Sequence, residues 1–276
     1  MKRFSILFTL LLFFVICSSQ EEDKIKNSFQ GTRLVNGQSV NLAEKGELQL
    51  LIQHRFGNIN GGFYEFFGLD QASMRLGFEY GFGDNFNLGF GRSTYLKTYD
   101  LFAKIRLVQQ TTNFPFTAVV TAGGSLPVIK DYFPDSYDSF SDKASGNVQV
   151  HLASTIKKFG FQVSPGYMKT GYLPAEDENI SMFTMGFGSS FSFTKKVSAN
   201  IEYLIPFNSE LPGKNPLSIG VDLDTGGHLF QIVLSNNQRM FDQAVYTNTG
   251  GDWTEGSLFF GFNLIREFDI NKPLDF

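Results

Sequence analysis

Beyond residue 17 the chain contains no cysteine, because Cys17 is its only one. That excludes a disulfide framework, a thiolate metal site and a cysteine nucleophile from the body of the protein. Histidine is nearly as scarce, with three residues, and there is a single tryptophan. After the first twenty positions no apolar run reaches the roughly 18 residues that a membrane-spanning helix needs. Positive charge is not in excess either: 23 Lys and Arg stand against 27 Asp and Glu, for a net charge of −4. A nucleic-acid partner, which would call for clustered basic side chains, is therefore not expected. Metalloprotease HExxH, hydrolase GxSxG, the Walker loop and a strand-to-helix GxGxxG are all missing.

What the sequence has in quantity is phenylalanine, 32 of 276 residues, with aromatics at 16% and charged residues at 18%. The first part of the chain is a leader. Lys2 and Arg3 precede an apolar stretch from Phe4 to Ile16, and Cys17, Ser18 and Ser19 offer small residues before Gln20. Residues 1–19 read as a signal peptide, so the chain is expected to be exported.

The phenylalanines are distributed, not pooled. In MRLGFEYGFGDNFNLGFGRS, residues 74–93, large apolar side chains alternate with Arg, Glu, Asn and Gly. Period 2 marks a strand with two different faces. It recurs at Leu48, Leu50, Ile52; at Tyr99, Leu101, Ala103, Ile105, Leu107; at Val148, Val150, Leu152; at Ile219, Val221, Leu223; and at Phe260, Phe262, Leu264. Counted along the chain this gives about twelve strands. The opposite phase carries Gln49, Arg55, Arg75, Glu79, Asn87, Asp100, Lys104, Arg106, Gln149, His151, Glu202, Asp222, Gln231 and Asn263.

Twelve strands exceed the roughly eight of a small ligand-carrying barrel with an apolar interior. The connections alternate between short ones (81–85, 109–115, 157–160, 194–196, 225–227) and longer ones (57–73, 93–98, 123–146, 169–181, 206–216, 235–257). Short periplasmic turns opposite longer outer loops are the habit of outer-membrane barrels. The expected fold is an all-β, antiparallel transmembrane β-barrel over 46–276, with apolar side chains toward lipid. Lipid offers the backbone no hydrogen bonds, so such a sheet must close on itself. Residues 20–45 form an N-terminal segment expected beneath or inside the barrel.

IQHRFG (52–57), GLDQASMRLGFEYGFGDNFNLGFGRS (68–93) with KTYD (97–100), SIGVDLDTGGHLFQIVLSNN (218–237) and TRLVNGQSV (32–40) resemble an uncharacterised outer-membrane β-barrel family of Bacteroidetes, a domain of unknown function. The resemblance implies a Gram-negative envelope barrel; it carries over no activity, ligand or catalytic residue. His54 and His228 fall in these stretches without an implied role.

No catalytic set, metal site or cofactor is expected. His54, His151 and His228 fall at three different levels of the barrel, too far apart for one ion. The best functional clue is the mixed-sign set of lumen-facing charges, Arg75, Glu79, Lys104, Arg106, Glu202 and Asp222, which suits internal ion pairs more than a selectivity ring of one sign. Acidic residues in 123–146 and 169–181 read as solvated loop tips, and Tyr246 and Trp253 as interface aromatics. The reading is thus a narrow solute or ion pore, or an envelope scaffold, without enzymatic activity. Its expected partners are outer-membrane lipid, the barrel assembly machinery during insertion, and a small solute or an envelope protein. Two rivals stay open: a lipid-acting barrel enzyme using an outward pair such as His54 and Ser189, and a soluble carrier of an apolar ligand.

Overall fold

The computed structural model describes residues 23–26, 29–134, 139–173, 178–208, 211 and 213–270. The expected leader at 1–19, Phe276, Asp135, Asp138, Glu176 and Asp177 lie outside the described residues. Twelve strands form one closed barrel. They are β1 Glu47–Asn58, β2 Ala72–Gly83, β3 Phe86–Ser93, β4 Tyr99–Val108, β5 Thr117–Leu126, β6 Ser145–Ile156, β7 Phe159–Leu173, β8 Glu178–Ser192, β9 Val197–Pro206, β10 Leu217–Asp224, β11 His228–Ser235 and β12 Phe259–Asp269. Each strand pairs antiparallel with its sequence neighbour, and β1 closes on β12 with Leu50 opposite Arg266 and Gln53 opposite Asn263.

The two-residue period sorts side chains to the two faces as the alternation requires. Met74, Leu76, Phe78, Leu88, Phe90, Leu101 and Ile105 are exposed on the outside. Their alternates Arg75, Glu79, Asn87, Asp100 and Lys104 are buried within. Aromatic neighbours pack across the outer surface, for example Phe90 on Tyr99 and Phe230 on Phe262, which strengthens adjacent strand pairs. Lumenal glycines make room for larger side chains: Gly89 lies under the ring of Phe102 on the next strand and Gly188 under Leu34 of the N-terminal segment, where an added Cβ would collide.

The long loop expected over 169–181 is absent. β7 and β8 continue as a ladder to Leu173 and from Glu178, with a register shift between Lys169 and Tyr172. The apolar outer phase ends at Tyr167, where polar Lys169 follows, so alternation fades while the backbone pairing carries on. A short helix α1, Phe140–Lys143, sits in the connection from β5 to β6 and packs on β7. Ser139 caps it, accepting from the amide of Asp142. A second, α2, Asp242–Thr247, lies in the connection from β11 to β12, and every one of its residues is buried.

Candidate functional site

The lumen is occupied from both ends. Residues 29–45 run inside the barrel, and Val35, Asn36, Ser39 and Val40 have no solvent exposure. The NG pair of TRLVNGQSV makes a tight turn, in which the Leu34 amide donates to the Gly37 carbonyl and Arg33 bridges to Gln38. On one side this hairpin is apolar: Phe29, Leu34 and Val40 pack with Val119 and Ala153. Elsewhere it is tied to the wall by polar side chains from many strands. Lys104 donates to the carbonyls of Thr32 and Asn41, at 2.6 and 3.2 Å. Gln162 accepts from the Val40 amide and donates to the Gln38 carbonyl. Gln231 and Asn263 donate to the Leu34 and Val35 carbonyls.

Glu202 meets the tip of the turn. Its carboxylate accepts from the amides of Val35, Asn36 and Gly37, at 3.4, 3.2 and 2.8 Å. Successive amides converging on one carboxylate form an anion nest. Asn36 extends the network by donating to Ser218 and accepting from Arg55.

From the opposite end, the connection 236–258 folds inward and presents α2 to the hairpin. Arg33 Nη1 lies 3.1 Å from Asp242 Oδ1, with both side chains nearly fully buried, and Gln38 donates to the other carboxylate oxygen. Arg33 also sits 5.4 Å from the ring of Phe102. α2 is fixed to the barrel by Gln243 donating to Asn147 and Gln149 donating to the Tyr246 hydroxyl. Val245 and Tyr246 pack on Met168, Met182 and Leu204. Tyr246 is therefore not an interface aromatic but part of the lumenal packing. Above it, Arg239 lies 3.7 Å from the ring centre of Tyr95. Burial holds the Arg239 guanidinium below its ordinary value, and the Tyr95 hydroxyl opposes that.

The six expected lumenal charges divide into three kinds. Arg75 and Asp100 make a two-pronged pair at 2.8 and 2.5 Å, and Lys104 lies 3.5 Å from Glu79. Glu202 and Asp222 depart from the expected ion pairing. Neutral donors satisfy both: the hairpin amides for Glu202, and Ser198, Asn200 and Gln231 for Asp222. Arg106 stands apart near the short-turn end, donating to the Asp84 carbonyl. It lines a cavity of about 760 Å³ together with Lys24, Glu47, Asp224, His228 and Glu267. This vestibule opens below the hairpin, where Ile25 donates to the Gln110 carbonyl.

The histidines lie apart. His54 faces outward, stacked 5.2 Å from Phe262. His151 is buried in the lumen between Ser164 and Thr121, at 2.9 and 3.0 Å. His228 is exposed at the start of β11 and borders the vestibule. His54 and Ser189 share the outward phase but sit on β1 and β8, which are never neighbours in the closed sheet. That separates the pair considered for lipid hydrolysis.

The sequence pattern misses Asn36, which ties the hairpin to the wall, and Arg33, Gln38 and Asp242, which join hairpin to loop. A usable signal does exist. Met240, Phe241 and Val245 are apolar residues in a connection otherwise rich in Asn and Gln, and all three are buried.

A closed sheet with an apolar exterior and a filled polar interior narrows the possibilities to a membrane barrel, and residues 29–268 match the family described as Membrane bound beta barrel domain (DUF5777). The chain belongs to that family. This membrane-bound barrel family includes the N-terminal hairpin within its bounds, since the match begins at Phe29. No curated protein matches the sequence. Among solved structures, the NanC porin is similar over 79% of this chain and 98% of its own, at 8% identity and a TM-score of 0.51. Omp33 of Acinetobacter baumannii is similar over 81% of this chain and 99% of its own, at 8% identity and a TM-score of 0.43. At 8% identity the likeness to the NanC porin is one of fold alone.

Proposed function

We propose that the protein is an outer-membrane barrel without a catalytic centre, whose lumen is a narrow solute or ion pathway held shut at rest. The observation that carries this reading is the meeting of hairpin 29–45 and α2 at Arg33 and Asp242 inside a polar lumen. Membrane barrels have polar interiors whether or not they conduct; what suits gating here is that two segments outside the twelve strands fill the lumen. The mixed charges, already paired or hydrogen-bonded, argue for closure of the path, not for selection by a ring of one sign.

A second reading, an envelope scaffold, draws on the connection from β1 to β2. Phe63 and Tyr64 there are 83% and 95% exposed, beside exposed Phe66 and Phe67. Such a patch suits a protein partner.

The test is fractionation followed by a detergent gel with and without boiling, then planar-bilayer recording. The expected result is an outer-membrane band that runs faster unboiled, and a wild-type barrel with brief, rare openings. A periplasmic band without the mobility shift would overturn the membrane placement. A steadily open wild-type pore would overturn the gate.

A further inference from the structure

On the outer surface, near the long-loop end, the apolar exterior is interrupted by a groove of about 590 Å³. Sheet register explains it. One row across the strands reads Phe90, Leu101, Gly124, Gly146, Lys169; the next reads Leu88, Ala103, Ala122, Val148, Tyr167. Gly124, Ala103 and Ala122 leave the depression, and Leu88, Phe90 and Leu101 wall it on one side. Phe140 of α1, 71% exposed, stands at its upper end.

Three cations lie just outside its lining, each next to or paired with a lining residue or that residue's neighbour. Arg92 is exposed on the outward phase of β3, its guanidinium 5.5 Å from the ring of Tyr99. Lys169 is exposed on the outward phase of β7, directly across from Gly146. Lys143 ends α1 above the start of β6, with its ammonium 5.4 Å from the ring of Phe133. Among the described residues, Asp142 is engaged with the cap residue Ser139, and Asp100 inside with Arg75.

We propose that this groove seats an acyl chain of a phosphorylated glycolipid of the outer leaflet, whose anionic headgroup lies along Arg92, Lys143 and Lys169. The inference rests on the outer-membrane placement above. The groove opens from the lipid-facing surface, so an acyl chain is its adjacent occupant. Arg92 and Lys169 are four strand spacings apart, roughly 19 Å along the sheet. One phosphate cannot satisfy both, whereas a broad headgroup with separated phosphates can. A second copy of the chain fits poorly, because two-fold pairing through this face would set a hollow against a hollow and gather like charges.

The experiment uses the folded full chain in lipid nanodiscs and reads bound lipid by native mass spectrometry. The probes are purified bis-phosphorylated lipid A, its phosphatase-treated form and phosphatidylethanolamine. The wild type is expected to retain one lipid A, in preference to the other two. Ala122→Phe, which fills the floor from the lipid side, is expected to lose the adduct. Arg92→Gln with Lys169→Gln is expected to abolish the preference for the phosphorylated form. The gel shift without boiling reports that each variant is folded, and the charge variant, altered only at exposed positions, tests the site even if Ala122→Phe does not fold. Undiminished retention by a folded Ala122→Phe barrel, equal retention of both lipid A forms by the wild type, or a doubled barrel mass in place of a lipid adduct would each overturn the proposal. Because nanodisc binding does not depend on cellular location, failure here is distinct from failure of the fractionation test.

Discussion

Deleting residues 29–45 and replacing 238–248 by a short Gly-Ser link is expected to turn a nearly silent barrel into a steady channel. The two changes remove different obstructions. The hairpin carries Leu34 and Val40 inside the lumen against Val119 and Ala153, and the loop carries α2 down to meet it. Deletion of the hairpin alone should give partial, flickering openings, because Val245 and Tyr246 still pack on Met168, Met182 and Leu204. Removing both should raise single-channel conductance roughly tenfold or more above the wild-type openings, since the wall left behind is polar and wettable. Planar-bilayer recording of the three proteins decides it. If the double variant is folded by gel shift yet as silent as the wild type, the lumen is not a pathway.

The second expected result concerns the join between the two segments. Arg33→Gln leaves Asp242 buried without its cation, and breaking one side of a buried pair costs about 3–5 kcal/mol. That cost falls on the closed arrangement only, because in the open one Asp242 meets water. The single native cysteine is Cys17; with it replaced by serine, a cysteine placed at Ser39 reports on the hairpin without background. Ser39 is fully buried, and its labelling by a polar maleimide should be very slow in the wild-type background. Arg33→Gln should speed it by about a hundredfold to a few thousandfold, in keeping with that energy. Asp242→Asn should act in the same direction, because Arg33 would then be the buried ion left unpaired. The double variant, with neutral groups that still hydrogen-bond, should return most of the way to slow labelling. Equal rates in single and double variants would show that the pair does not hold the gate.

The barrel was legible in the sequence because each face of most strands meets one kind of neighbour. Met74, Leu76 and Phe78 alternate with Arg75 and Glu79 for that reason, and the lumenal phase of Arg75, Glu79, Lys104, Glu202 and Asp222 follows. Alternation stops being informative where a strand passes beyond the apolar band. At Lys169 and Thr170 neither phase is apolar, so a continuing ladder looks like a loop. The contents of the lumen were harder still. Glu202 is held by the amides of Val35, Asn36 and Gly37, and Lys104 by carbonyls of Thr32 and Asn41. Backbone groups are the same at every position, so such partnerships leave no compositional trace. Asp242 is hidden for another reason: its partner Arg33 is far away in the chain, in a segment with no periodicity of its own.

The hairpin also bears on how the cylinder is assembled. Pairing of β1 with β12 joins the two most distant strands of the sequence, and loop-closure entropy makes such a seam slow to form. Asn36 binds Arg55 on β1, while the adjacent Val35 carbonyl binds Asn263 on β12. Two consecutive residues of one short segment thus hold both lips of the seam. Since this segment immediately precedes β1, the chain carries beside one lip of the seam an acceptor for the other lip, at a strand pair that sequence proximity does not favour.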